Sequence, residues 1–388
     1  MEPVRGAVVG VSGIGGYHRK IMHELADVDL VAAAERYQDR EAPAAAIAEV
    51  KDWGVPVYND ISAMLDDVAD LDYVTLAVPH HWHAPYTLQC LNRGINVLSE
   101  KPVTVLAQDG FEVARLAKEK GLLVAVDFQY TGFKHSHRLK ELIAGGELGE
   151  LTEVVGVMEW KRTNDYYDRG HWTGKRYADG LAVWDGVMMN QAVHLINTAL
   201  QMGSRIEDHA TPRSVQAECY QAHPNIEVED LVALRADLGE ANLHFYCTTN
   251  CDDHYRTSLT IHGTKGWASW DTGKAEVFLE GREEPIVFDD PADRDAIHRN
   301  LIACIRGEES RLYAPADESV KATLLINAAY ASAGEIRKVP WIEMAGIHHM
   351  VDFAAAQRKL FSELPSWDFA SQAVDLDESF RFEGLGDD

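Results

Sequence analysis

Three short stretches of the chain combine residue types that can move a proton or hold a nucleotide. In NVLSEKPVTV, residues 96–105, an apolar run ends in Glu100, Lys101 and Pro102. An amine whose charged form is disfavoured by its surroundings becomes a base near neutral pH, and an adjacent carboxylate can hold it in place. Proline has no N–H to give to a strand ladder, so the run must stop there. In DGVMMNQAVHLIN, residues 185–197, Asn190 and His194 stand four apart, a spacing that puts both on one face of a helix. Imidazole can exchange a proton near neutral pH, whereas the amide can only hydrogen-bond.

The third stretch is GVSGIGGYH, residues 10–18, which approximates G-x-G-x-x-G as Gly10, Ser12 and Gly15. In that pattern the first position makes a tight turn, the second lets backbone amides approach a pyrophosphate, and the third allows close helix packing. Ser12 stands at the second position, with a Cβ that neighbouring Gly13 and Gly16 relieve, and Ile14 completes the loop. Glu35 follows 20 residues after Gly15 at the end of an apolar run. A carboxylate there accepts hydrogen bonds from ribose hydroxyls and repels a 2′-phosphate, so NAD is expected. Arg36 could pair with such a phosphate, which keeps NADP open.

Plainer readings compete with these. A histidine in MMNQAVHLI can be a satisfied core side chain. HHWH, residues 80–83, resembles a metal cluster, though it follows a strand and proline as a loop would, and Cys247 and Cys251 are spaced four apart without a second pair; no metal is expected. Tyr166, Tyr167 and Trp172 in NDYYDRGHW suit the faces of a carbohydrate in a wet cleft, or ordinary packing of a loop.

These residues need elements to position them. Over the first 125 or so residues, short β-branched runs alternate with helical stretches near 14–26, 83–93 and 106–120, which implies βαβ units and a parallel sheet with its ligand beyond the carboxyl ends of the strands. From about residue 150 the chain reads as alternating strands with a helix near 186–201, an antiparallel sheet carrying helices on one face. Helical periodicity returns at 292–306 and 315–335. The expected fold is α/β plus α+β: a doubly wound Rossmann domain over 1–128, an open-sheet substrate and assembly domain over 129–342, and a C-terminal extension over 343–388.

With 388 residues the chain can bury two cores. Lysine and arginine total 36 against 62 acidic residues, a net charge of -26 that disfavours nucleic acid and anionic lipid as partners. No apolar run reaches membrane-spanning length, and the N-terminus enters a strand at once, so a cytoplasmic protein with five free thiols is expected.

GVSGIGGYH, Glu35, AVPHHWHAPYTLQCLNRGINVLSEKP and GVMMNQAVHLIN together resemble the glucose-fructose oxidoreductase, inositol dehydrogenase and MocA (Gfo/Idh/MocA) family over roughly residues 5–341. The resemblance implies that Lys101 is catalytic, sitting between nicotinamide and a substrate hydroxyl, with His194 assisting. It implies that Glu100 holds the lysine or the nicotinamide ribose, and that Pro102 follows a cis bond. It places Ala77, Pro79, His83 and Gln129 with Gly10, Ser12, Gly13, Ile14, Gly15, Glu35 and Arg36 around the cofactor, and Asn190 beside the substrate. Many relatives carry aspartate where this chain has Asn190, and often arginine where it has Thr131. DGLAVWDG, residues 179–186, replaces their glycine-rich run and inserts Trp184 and Asp185.

The implied activity is NAD-dependent hydride exchange with a secondary hydroxyl of a sugar, polyol or glycoside. An NAD-recycling cleavage of glycosides is the first alternative, and a non-catalytic NAD or sugar sensor the second. Relatives pair the sheets of their second domains, so a homodimer or homotetramer is expected.

Overall fold

The computed structural model describes residues 2–38, 41–206, 208–339, 347–364, 373–377, 380–382 and 384. The chain divides into two compact units, one of Met1–Thr104, Asp109–Phe128 and Asp295–Asp317, the other of Val105–Gln108, Gln129–Arg294 and Glu318–Asp388.

The first unit holds strands β1 (Val4–Val9), β2 (Val28–Ala34), β3 (Val57–Tyr58), β4 (Tyr73–Leu76), β5 (Asn96–Ser99) and β6 (Val124–Val126). They form one sheet in the order β3-β2-β1-β4-β5-β6, with every pair parallel. Helices cover both faces of such a sheet, which is why its strands read as unbroken apolar runs rather than alternations. The strand order reverses between β1 and β4, and the crevice beyond their carboxyl ends is where this architecture binds nucleotides. Helices Ile14–Glu24, His83–Asn92 and Ala107–Lys120 lie where the periodicity predicts them. Ile61–Asp67, capped by the Asp60 carboxylate on the Ala63 N–H at 2.9 Å, is too short to show a period. The chain returns to this unit late: Ala314 accepts from the Val126 N–H at 2.9 Å, and helix Ala296–Ile305 belongs here.

The second unit is built on β7 (Leu151–Glu159), the small hairpin β8 (Tyr177–Ala178) and β9 (Leu181–Ala182), then β10 (Ser214–Gln221), β11 (Leu231–Asp237), β12 (Asn242–Thr248), β13 (Arg256–Gly263), β14 (Gly266–Asp271), β15 (Ala275–Leu279), β16 (Ile286–Phe288), β17 (Ile336–Lys338) and β18 (Val374–Asp375). Ten of them make one sheet, ordered β16-β15-β14-β13-β7-β12-β11-β10-β17 with β18 on β10. The sheet is mixed rather than purely antiparallel, because β7 runs parallel to β12 and β10 parallel to β17. After β7 the chain leaves the sheet for the segment that carries His194, so strands from later in the chain flank β7.

On one face, helix Val193–Met202 lies against β7 and β13 and is buried along its whole length. On the other face, Val155, Val157, Tyr220, Leu231, Ala233 and Tyr246 are covered by the chain's own C-terminal extension through Ile347, Val351, Ala354, Ala355, Leu360 and Phe361. Helix Ile347–Gln357 and the turn after it are tied down by polar bonds: Arg358 to both oxygens of Glu153 at 2.9 Å, the Ser362 N–H to Glu218 at 3.1 Å, and Arg235 to Glu363 at 3.0 Å. The acidic tail of the extension lies in part outside the described residues.

Candidate active site

At the carboxyl end of β1 the chain turns at Gly10 with φ +87°, and a Cβ there would stand 2.1 Å from the Ala77 carbonyl oxygen at the end of β4. A Cβ on Gly15 would meet the Gly10 carbonyl oxygen at 2.1 Å. The two glycines thus bring the loop against β4 and against the helix that starts at Ile14, leaving the Ser12–Gly13–Ile14 tip outward. Ser12 keeps an ordinary negative φ, so its side chain costs no backbone strain.

Glu35 directly follows β2, and its carboxylate braces this loop. Oε2 accepts the Val11 N–H at 3.1 Å and Oε1 accepts the Tyr37 N–H at 3.1 Å. Each oxygen retains a second lone pair for a ribose hydroxyl. Arg19 holds the other side, donating to the Val11 carbonyl at 3.0 Å and to Glu49 at 2.6 Å. The Arg36 guanidinium lies over the Trp82 ring at 4.2 Å and donates to the Tyr86 hydroxyl at 3.3 Å. A backbone cradle with no room for a Cβ at Gly10 or Gly15, an acid just after the second strand and a helix beginning at the cradle are the parts a dinucleotide needs, and the residues present fit that cofactor.

Lys101 follows β5 at the same edge of the sheet, and the Lys101–Pro102 peptide is cis. His83 joins this turn to the loop after β4: its Nδ1 is 2.6 Å from the Pro102 carbonyl oxygen and its Nε2 is 2.9 Å from that of Val78. Burial holds the His83 pKa below its ordinary value, and a neutral ring has one proton to share between these two carbonyls. His83 is thus a strut between two loops, not a metal ligand in HHWH. Ala77 and Pro79 line the same loop.

Glu100 is buried and held from two directions, by the Lys101 N–H on Oε2 at 3.1 Å and by His18 Nε2 on Oε1 at 3.0 Å. Behind His18 stands His298, ring nitrogen to ring nitrogen at 2.8 Å, and Asp127 Oδ2 is 3.8 Å from His18 Nε2. Neither His298 nor Asp127 carries a motif signal. His18 does close GVSGIGGYH, but its partners come from distant parts of the chain.

In the second unit the stretch 186–192 forms turns and the helix starts only at Val193. Asn190 therefore precedes the helix that bears His194, and the two do not share a helical face. The Ala192 N–H reaches back five residues to Val187 at 2.8 Å, a wider loop than an α-helical turn. Asn190 Nδ2 donates to Asp185 Oδ1 at 2.6 Å, and Asp185 Oδ2 accepts the Gly174 N–H at 2.8 Å. The His194 ring packs on Tyr130, centroids 5.1 Å apart, in the 129–132 turn that also contains Gln129 and Thr131. Trp184, at φ +44°, is buried against Tyr330 and Phe382 as part of the core of the second unit.

Of the three aromatics, Tyr167 is inside the unit, its hydroxyl 2.8 Å from Thr249 Oγ1. Tyr166 is partly open, accepts from Gln191 Nε2 at 3.0 Å and is covered by Arg169 at 3.5 Å. Trp172 is half-buried nearby. Gln191, adjacent to Asn190, has no spacing signal and emerges only through this bond.

Residues 4–128 match the family model described as "Oxidoreductase family, NAD-binding Rossmann fold", and residues 136–269 match the "GFO/IDH/MocA C-terminal domain". D-glucoside 3-dehydrogenase of Escherichia coli is 27% identical over 51% of this chain and 54% of its own length. The scyllo-inositol 2-dehydrogenase (NADP(+)) IolW of Bacillus subtilis is 25% identical over 49% of each. The chain thus spans about half the length of these relatives. The WlbA dehydrogenase of Chromobacterium violaceum, solved with NADH and UDP-GlcNAcA, superposes with a TM-score of 0.70 at 26% identity, covering 86% of this chain and 94% of that one.

Proposed function

Because this chain belongs to the Gfo/Idh/MocA family of sugar and polyol oxidoreductases with an NAD(P)-binding Rossmann fold, we propose that it moves a hydride between NAD and a secondary hydroxyl of a sugar, polyol or glycoside. The observation that carries the reading is the Glu100–Lys101–Pro102 turn at the carboxyl end of β5, tied by His83 to the loop after β4. Bound nicotinamide supplies the hydride acceptor. Lys101 takes the hydroxyl proton as the general base, and Glu100 fixes the turn that presents it. Substrate contacts are proposed for His194, Asn190, Tyr166 and Trp172, while Tyr167 supports the 164–172 loop from within. Proton exchange falls to Lys101 and His194, since the Asn190 amide can only hydrogen-bond.

Glu35 favours NAD over NADP, because its spare lone pairs suit ribose hydroxyls and its charge opposes a phosphate. The Arg36 guanidinium, flat on Trp82, keeps NADP a weaker substrate rather than an excluded one. Redox-neutral cleavage of a glycoside is the second reading, favoured by one observation: the buried Asp185 carboxylate beside Asn190, an acid inserted where the family's glycine-rich run is replaced.

The outer face of the large sheet is covered in its middle by the extension, and Trp267, stacked on Phe278 at 4.1 Å, stays partly exposed with Val287 toward the β16 edge. That strip supports pairing with a second copy of the chain.

The test is formation of reduced nucleotide from a panel of sugars, polyols and glycosides with NAD and with NADP, alongside Lys101→Ala. Lys101→Ala should bind NAD like the wild type and turn over roughly 100- to 10,000-fold more slowly. No reduced nucleotide from any compound, with glycoside cleaved instead, would establish the second reading.

A further inference from the structure

We infer that His18, backed by His298, is a positioning residue that holds Glu100 behind Lys101 and shares a buried proton with Glu100 and Asp127, so that charge arriving at the nicotinamide site is answered by proton loss from this cluster. The inference rests on the proposed role of Lys101, but its geometry lies wholly within the first unit.

All four side chains are almost fully buried: His18 is 0% exposed, His298 1%, and Glu100 and Asp127 6% each. Two ionised carboxylates and two neutral rings would leave two negative charges sealed from water, which costs more than retaining a proton. His18 is where it can stay, since Nε2 faces Glu100 at 3.0 Å and Asp127 at 3.8 Å. With both nitrogens protonated, His18 donates from Nε2 to Glu100 and from Nδ1 to His298 Nε2 at 2.8 Å, leaving His298 a neutral acceptor. Burial lowers the affinity of His18 for a proton, but the Glu100 hydrogen bond and the two carboxylate charges raise it above the ordinary value. Burial and the charge of His18 hold His298 far below its own. Asp127 is pushed up to about 7 by burial and by Glu100, against the pull of His18 and Lys101.

The other ionisable groups that bear on the cluster are Lys101, whose charge reaches Asp127; His83, which the Glu100 charge reaches; Asp295, which raises Asp127; and Arg299, which lowers His298. Asp295 also accepts the Tyr17 hydroxyl at 2.8 Å. A cation added next to Lys101 disfavours a second positive charge behind it, so the shared proton leaves. When Lys101 takes the hydroxyl proton, Asp127, a carboxylate that feels the Lys101 charge and stands 3.8 Å from His18 Nε2, is the group that receives it and passes it to His18. The proton is only moved: no bond other than its own to nitrogen or oxygen changes.

The test is isothermal titration of NAD into the protein near pH 7 in two buffers of different ionisation enthalpy, for the wild type and His18→Gln. The glutamine amide can still donate to Glu100 but cannot titrate. The wild type should release protons on binding. His18→Gln should bind NAD within about threefold of the wild type and release clearly fewer, with the rise of turnover through neutral pH flattened. The same proton release in His18→Gln would overturn the inference. Histidine ring resonances of the wild type without cofactor give a check that needs no variant. One ring should titrate above 6.5 and a neighbouring one should stay neutral down to the acid limit of the fold, whereas two ordinary titrations would overturn the claim. The same three acid and imidazole groups could hold a divalent ion, so stoichiometric metal in the purified wild type, lost in His18→Gln, would also overturn it. Failure to oxidise any sugar would count against the proposed function and leave these proton measurements standing.

Discussion

Asn190 gives its amide to Asp185 at 2.6 Å, five residues earlier in the chain and buried with it. A carboxylate thus lies within hydrogen-bond distance of position 190, and the amide is what permits it. An aspartate at 190 would set two buried carboxylates within hydrogen-bond distance, a pair that cannot ionise together. Asn190→Asp should therefore weaken substrate binding at neutral pH and recover on acidification, where the pair can share one proton. Asn190→Asp with Asp185→Asn swaps the pair and should restore most of the loss. Michaelis constants of the two variants from about pH 5 to 9 check this, and a single variant indifferent to pH would show that the two groups do not meet.

The nucleotide cradle makes a simpler prediction. A methyl group on Gly10 would stand 2.1 Å from the Ala77 carbonyl oxygen, and the residue would keep φ at +87°. Neither backbone can yield without moving β1 or β4. Gly10→Ala should thus lower NAD affinity by at least about tenfold and the unfolding midpoint by several degrees, of the order of 1–3 kcal/mol. Calorimetric NAD binding and thermal melts measure both, and near-normal affinity would mean that the cradle does not touch the cofactor.

The two halves of the candidate site were unequally legible in the sequence. β1, the glycine loop and Glu35 follow one another within about 30 residues, and helical and strand periods there differ sharply, so local pattern suffices. His18 and His298 are separated by 280 residues, and only the return of the chain after Arg294 brings them together. Counting four residues from Asn190 to His194 predicts a shared helical face. The wider turn from Val187 to Ala192 delays the helix to Val193, a matter of backbone hydrogen bonding that side-chain spacing does not report. Tyr167 differs from Tyr166 in no property of the sequence. Its burial comes from Thr249 and His223, which follow the ends of β12 and β10.

Glu229 sets a pH dependence on stability. It is fully buried, with Oε1 accepting the Met188 N–H and the Tyr330 hydroxyl, each at 3.0 Å. Burial pushes its pKa from 4.5 up to about 8, even though these hydrogen bonds pull the other way. The folded chain keeps this proton in a range where the unfolded chain has lost it, so the folded state loses stability as pH rises from about 4.5 to about 8. The slope contributed by this one group is at most about 1.4 kcal/mol per pH unit. Glu229→Gln retains an acceptor for both donors and removes the titration. Urea midpoints at about pH 5.5 and 8.5 should fall between the two for the wild type by more than for Glu229→Gln, and equal falls would place the cause elsewhere.

The C-terminal extension is predicted to be part of the second unit's core rather than an appendage. Val351 is 0% exposed, and with Ile347, Ala354 and Phe361 it covers Val155, Val157, Leu231 and Tyr246, residues that would otherwise present an apolar sheet face to water. The Arg358–Glu153 pair, the bond from the Tyr246 hydroxyl to the Lys359 carbonyl at 2.9 Å and the Ser362–Glu218 contacts fix its register. A carboxylate at 351 would be buried without a partner, so Val351→Asp should destabilise the fold by roughly 2–4 kcal/mol or detach the helix. Detachment bares the sheet and should raise the mass seen by light scattering. Trp267→Glu, by contrast, loses only the stack on Phe278 within the chain and should reduce any self-association with a much smaller shift in melting temperature than Val351→Asp. The pair of variants separates a face the chain covers for itself from a face it offers to a second copy. A Val351→Asp protein with unchanged melting temperature and unchanged mass would show that the extension does not cover the sheet in solution.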